Sequence, residues 1–482
     1  MNTASIREVH RWRAFAVLAV SFFMTVVDLT IVNVALPTIS RKLHFSESNL
    51  QWVVTAYGLT FGGFLLLGGR AADLLGRRRV MMSGLALFTA ASLGAGLATS
   101  DGFLIAMRGV QGLGAAIVLP AALSIVMNMF PEGSERNKAL GIWGGIGAAG
   151  ATIGVIAGGL LTRYAGWEYI FFLNVPIGTA ALLLARRLVP ESRLEGVRRR
   201  FDVLGAVTVT GSLLLLVYAI STAPQVGWST IRTVSLLVAA AALLVAFLVI
   251  ETRVEAPLMP LRIFRLRTVA AANAVGLLLG GSFFGFIFVG TLYMQQVLGY
   301  SALQAGIAWL AASLTSVALA GLAQMLVTRT SPIPVMGLGM ALIAGGILLA
   351  ARAPVHGHFW SSLAAAFFIA GAGTAFAFIP ISIAGLAGVA EREAGLASGL
   401  LNTSQQLGGA LGVAIASTVA ATHTKTLLES GHASNIALTG GLQWAFWACG
   451  VVGLLALPTI AILAGRRSKE IESETPAFES GA

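Results

Sequence analysis

Two ionisable side chains stand inside long apolar stretches: Asp28 in FFMTVVDLTIVNVALP (22–37) and Arg108 in LIAMRGVQGLGAA (104–116). A charge at the centre of a bilayer costs ~2.5–3.5 kcal/mol on insertion scales. Desolvation favours the neutral form of a carboxyl group, and a nearby cation favours the charged one. A carboxylate that experiences each environment in turn carries a proton. Arg108, Gln111, Gly112 and Ala115 recur at helical spacing and share one face. A structural tether is the alternative role for such an arginine. Asp28 lies eight residues from Leu36, and Arg108 six residues after Gly102, so at 1.5 Å per residue the two charges are about 12 and 9 Å below the same membrane surface. An ion pair between them is therefore expected if their helices are neighbours.

Other chemistry is sparse. Cys449 is the chain's one cysteine, which rules out an internal disulfide and a cysteine metal cluster. His356 and His358 fall in a polar turn, which fits a solvated loop better than a metal site. No phosphate-binding loop or nucleophile–base pair is present, so no enzyme activity, cofactor or metal is expected.

The chain has 482 residues, of which 57% are hydrophobic and only 11% charged. Soluble domains carry roughly 25% charged residues, so most of this surface must face lipid. Apolar runs able to cross ~30 Å of hydrocarbon fall near 14–36, 49–69, 80–99, 102–125, 140–162, 170–187, 204–223, 233–250, 269–293, 304–327, 333–351, 359–386, 396–420 and 443–465. The first, about 23 residues from Ala14 to Leu36, is too long for a signal-peptide core. With alternating connections and the N-terminus inside, 24 of the 31 Lys and Arg fall in inner segments and 6 in outer ones, leaving Arg108 within a helix. Positive charge is retained on the cytoplasmic side, so both termini are expected there. The net charge of +11 then reflects topology and calls for no nucleic-acid partner.

Charged connections at 188–202 and 255–267 divide the chain. The expected units are a six-helix bundle over 1–187, a linker with two further spans over 188–267, a second six-helix bundle over 268–466, and a disordered cytoplasmic tail over 467–482.

At the end of the second span stands GRAADLLGRRRV, Gly69 to Val80. Arginines alone would mark only topology. The full spacing, with Gly69, Asp73, Gly76 and Arg77, resembles the signature between the second and third helices of the major facilitator superfamily. The resemblance implies an all-α membrane fold of two six-helix bundles. It assigns those four residues to a conformational latch between the bundles. The run around Arg108 is similar to the fourth-helix motif of proton-coupled facilitators.

The fifth span, GIWGGIGAAGATIGVIAGGL, carries Gly141, Gly150, Gly154, Gly158 and Gly159 at the family's antiporter spacing. Small residues at this spacing bring helices close whatever else they do. Val155 stands where the family has a proline, so a kink attributed to that proline is not expected. LDLTIVNVALP, WEYIFFLNVPIG (167–178) and AGLASGLLNTSQQLGGALG (394–412) look like the fourteen-helix drug:proton antiporters, whose extra central pair matches residues 188–267.

The resemblance implies export of hydrophobic compounds across the cell membrane, driven by the proton gradient and by a monomer. The span at 304–327 has no acid, which points to monocationic or neutral substrates. Thr25, Asn33, Gln51, Trp52, Gln111, Gln295, Asn402 and Gln405 are candidate cavity-lining residues. Ser398, Asn402, Gln405 and Gly409 form one helical stripe, equally suited to joining helices. Phe283, Phe284 and Phe378 fit core packing or lipid contact better than a cavity. An exporter dedicated to one metabolite or antibiotic, and a non-transporting receptor, are the competing readings.

Overall fold

The computed structural model describes residues 3–43, 45, 50, 52–131, 133–192, 202–254, 257–259, 261–389 and 393–462. Gln51, most of the connection at 188–202 and the tail from 467 fall outside these, as do the side chains of Asn33 and Val155.

The longer helices are α1 (Thr3–Leu43), α2 (Trp52–Leu75), α3 (Arg77–Gly96), α4 (Asp101–Met129), α5 (Ser134–Tyr164), α6 (Asn174–Leu188), α7 (Val203–Val226), α8 (Ile231–Arg253), α9 (Arg267–Leu292), α10 (Leu310–Arg329), α11 (Pro332–Ala350), α12 (Ala364–Leu386), α13 (Ala394–Glu429) and α14 (Ser434–Leu454). No strand is present among the described residues. Among the described residues, twelve helical segments are long and apolar enough to cross a membrane by length and composition. The two long helices outside that set are α3 and α5.

Element boundaries follow local chemistry. Ser100, Asp202 and Thr230 cap α4, α7 and α8, each accepting a hydrogen bond from a backbone N–H three residues on. A single residue, Gly76, turns the chain from α2 into α3 at φ 106°, a conformation that disfavours any side chain. A short turn, Tyr169–Phe172, precedes α6, and Leu173 separates the two. Pro176 has no N–H for the Phe172 carbonyl, which accounts for the interruption there. α14 begins at Ser434, nine residues before the apolar run at 443, because SNIALTGGL is helical without being strongly apolar.

One buried cluster runs through α1–α6 and on into α7, α8 and the adjoining ends of α12 and α13, and a second occupies α9–α14. In the first group α4 packs against α2 and α3, while α1 packs against α5 and α6. In the second, α9 pairs with α13 and α11 with α12. The groups meet along α2 with α13 and along α5 with α10. α7 and α8 pack on each other, and α7 rests on both α2 and α13. At one end of this pair Trp228 Nε1 donates to Thr418 Oγ1 of α13 at 2.9 Å. At the other, Glu251 accepts the backbone N–H groups of Leu258 and Met259, both at 3.1 Å.

Candidate functional site

The two intramembrane charges meet. Asp28 of α1 is 0% exposed and Arg108 of α4 is 1% exposed. Arg108 Nη1 donates to Asp28 Oδ2 in a short, direct contact. The arginine is fixed on its remaining sides. Its Nε donates to the Val53 carbonyl of α2 at 2.9 Å, and Nη1 also reaches Gln111 Oε1 at 2.9 Å. Its guanidinium carbon lies 4.4 Å from the Tyr57 ring centroid and 5.8 Å from that of Phe171, at cation–π range.

Asp28 Oδ1 has two donors of its own: Gln111 Nε2 at 3.3 Å and Asn174 Nδ2, from the first residue of α6, at 2.8 Å. Gln111 Nε2 also reaches Ser92 Oγ of α3 at 2.7 Å. All three side chains that reach the carboxylate therefore donate N–H groups, which suits its ionised, acceptor-only form. A protonated Asp28 would bring a further donor into a ring of donors. Proton uptake in this geometry requires an amide to turn or a helix to move.

Asn174, Ser92 and Tyr57 were not among the candidates drawn from the sequence. Asn174 lies inside the quoted WEYIFFLNVPIG, and the signal was the asparagine two residues before the helix-interrupting Pro176. Ser92 and Tyr57 offered none: one serine and one tyrosine in apolar helices do not depart from ordinary packing.

The antiporter-spacing glycines divide between two faces of α5. Gly150, Gly154 and Gly158 lie against Val26, Thr30 and Ile31 of α1, bracketing the level of Asp28. Gly141 and Gly159 point to the other bundle, toward Gln324 and Leu303.

Asp73, 1% exposed, forms a second polar cluster where α2 ends. Its carboxylate accepts the N–H groups of Gly395 at 3.1 Å and Leu396 at 2.9 Å, the first turn of α13. A helix N-terminus is a favourable place for a negative charge. Arg77 donates to Asp73 Oδ1 through Nε at 3.2 Å and Nη2 at 3.0 Å. Gly69 permits the close approach, since a Cβ there would enter the Gly395 carbonyl. Gly76 provides the turn, and Glu191 lies beside it, accepting the Arg78 N–H at 3.1 Å. Of the four residues assigned to the latch, Gly69 and Asp73 touch the second bundle, while Arg77 holds Asp73 and Gly76 makes the turn between α2 and α3.

The cavity candidates are more scattered. Thr25 is buried, with its hydroxyl on the Phe22 carbonyl at 2.7 Å. Gln111 belongs to the Asp28 cluster. Trp52 stacks on Tyr218 of α7 with ring centroids 5.7 Å apart. Gln295 is exposed, in a π-helical turn at the end of α9. Asn402 donates to the Ser398 carbonyl of its own helix at 2.9 Å, and Gln405 packs on Gly276 and Gly280 of α9. Phe283 makes edge contacts with Phe284 and Phe378, at 5.7 and 5.5 Å between centroids.

The profile of the Major Facilitator Superfamily matches residues 18–413 and 291–481. Puromycin resistance protein Pur8 of Streptomyces alboniger is 37% identical, over 97% of this chain and 95% of the relative. Cephamycin export protein CmcT of Amycolatopsis lactamdurans is 38% identical over 85% of each chain. Multidrug resistance protein Stp of Mycobacterium tuberculosis (strain CDC 1551 / Oshkosh) is 35% identical, over 84% of this chain and 75% of the relative. Among solved structures, the human organic anion transporter MFSD10 superposes with a TM-score of 0.66 at 17% identity, covering 93% of this chain and 99% of that one. The proton:xylose symporter XylE gives 0.63 at 16% identity, covering 95% and 96%. These two likenesses concern the fold alone. With the profile spanning most of its length, and with relatives named for antibiotic or multidrug resistance and for export, the chain belongs to the Major Facilitator Superfamily.

Proposed function

We propose that this chain is a proton-coupled antiporter that exports hydrophobic, monocationic or neutral compounds across the cytoplasmic membrane by alternating access, with fourteen crossings and both termini in the cytoplasm. The observation that carries the reading is Asp28: a fully buried carboxylate in a membrane-length helix, held by a buried arginine and two amides. Its partners come from α4 and α6, so movement among these helices changes how well the negative charge is solvated. Each proton entering down a 100 mV potential contributes about 2.3 kcal/mol. Protonation releases Asp28 from Arg108, and deprotonation restores the pair. Export of substrate occupies the other half of the cycle.

Substrate-driven proton movement in inverted vesicles tests this. Wild type should release protons from the energised vesicle when a transported dye is added, whereas Asp28→Asn and Arg108→Ala should fall to background. An Asp28→Asn protein that inserts normally and still couples would overturn the mechanism. Transport of a dicationic dye as fast as a monocationic one would overturn the charge assignment.

The second reading is an exporter dedicated to one antibiotic, favoured by likeness, over 85% or more of each chain, to relatives named for puromycin and cephamycin. Comparing those two compounds with several dyes separates the readings: one strong response among many blanks supports the dedicated exporter.

A further inference from the structure

We propose that Asn174 is a positioning residue for the proton site, making the pH at which Asp28 exchanges its proton depend on where α6 lies against α1. This rests on the reading that Asp28 carries the coupling proton. Asn174 is 2% exposed, and its amide donates to Asp28 Oδ1 at 2.8 Å. The other two donors, Arg108 and Gln111, share α4 and are tied to each other. Gln111 is further held by Ser92 of α3 and Arg108 by the Val53 carbonyl of α2, so neither depends on α6 for its hydrogen bonds, although α6 packs on α3 as well as on α1.

Asn174 reaches the same oxygen from a different helix, at the point where the chain restarts after Leu173. Withdrawing α6 from α1 removes one donor from the carboxylate while the α4 donors stay behind. A hydrogen bond donated to the charged form favours that form. The Asn174 amide therefore favours proton release while α6 is docked and favours uptake once it separates. Asn174 acts through the orientation and hydration of Asp28, the group its amide contacts.

A structural tie between α1 and α6 would predict lower rates without a change in pH dependence, so the test reads Asp28 directly. Wild type, Asn174→Leu and Asn174→Asp are reconstituted, and the infrared carbonyl band of neutral Asp28 is followed from pH 4 to 10. The band is identified by its absence in Asp28→Asn. Asn174→Leu removes the donor at similar volume, and Asn174→Asp replaces it with an acid of the same shape.

Both variants should retain the neutral-Asp28 band to a pH higher by about one unit or more than wild type, on the order of tenfold in proton affinity. The pH profile of proton-linked flux should move the same way. Bands that vanish at the wild-type pH in both folded variants would overturn the proposal, as would an Asp28 that stays ionised throughout in every protein. Wild-type protein with a titrating Asp28 but no proton-linked flux would instead overturn the antiporter reading, leaving the Asn174 effect to be judged on the infrared shift.

Discussion

At the residue scale, Arg108 and Asp28 are stable together and costly apart. Removing one partner of a buried ion pair leaves an uncompensated charge, at a cost of about 3–5 kcal/mol, whereas replacing both with neutral groups is much less costly. Arg108→Gln should therefore lower thermal stability in detergent markedly, and the double variant Asp28→Asn/Arg108→Gln should recover most of the loss. If the double variant is no more stable than Arg108→Gln, the pair does not hold α1 to α4. The encounter itself was legible because both charges stand out against an apolar background and depth follows from residue counts. The third donor was not: Asn174 is neutral, and its reach to Asp28 depends on the break at Leu173 and the way α6 leans on α1. Neither is fixed by spacing within one helix.

At the element scale, α1 is held at the level of Asp28 by the small-residue face of α5. A methyl group on Gly154 would enter the Thr30 hydroxyl and lie 2.7 Å from the Val27 carbonyl, and backbone cannot yield there without shifting the helix. Gly154→Ala should reduce folded yield and proton-linked flux together. Gly145→Ala, whose Cβ would meet only Ala320 at 4.0 Å, should leave both near wild type. Equal tolerance of the two substitutions in a flux assay and a melting curve would deny the α1–α5 contact its importance. The glycine spacing announced a close-packed face, but not that Gly150, Gly154 and Gly158 address α1 while Gly141 and Gly159 address the other bundle. That division depends on the angular placement of helices around the bundle, which residue counts along an axis do not contain. The position of α7 is the same kind of fact: composition marked an extra pair, and only packing places it between α2 and α13.

At the scale of the whole molecule, the bundles are joined differently at different levels. Near the arginine-rich end, α2 meets α13 backbone to backbone at Gly69, Gly395 and Gly399, with Asp73 capping the first turn of α13. Higher on the same face, the glycines of α2 turn to another neighbour: Gly62 faces Val217, and Gly63 faces Leu214, both on α7. The direct α2–α13 seal is thus concentrated where Asp73 and Arg77 sit, and this conformation is shut at that end of the contact. Neutralising Asp73 weakens its hydrogen bonds to Gly395 and Leu396 and its pair with Arg77, so opening there should become more frequent. Ser398, fully buried one turn beyond the Gly395 contact, can report this as a cysteine, and the native Cys449 is itself buried and contributes little background. Ser398→Cys should react slowly with a membrane-impermeant maleimide in inverted vesicles. Adding Asp73→Asn should raise its labelling rate several-fold, with no comparable rise for Cys449. Labelling unchanged by Asp73→Asn, in protein that still binds substrate, would mean that glycine packing alone keeps this end closed and that the carboxylate is not part of the latch.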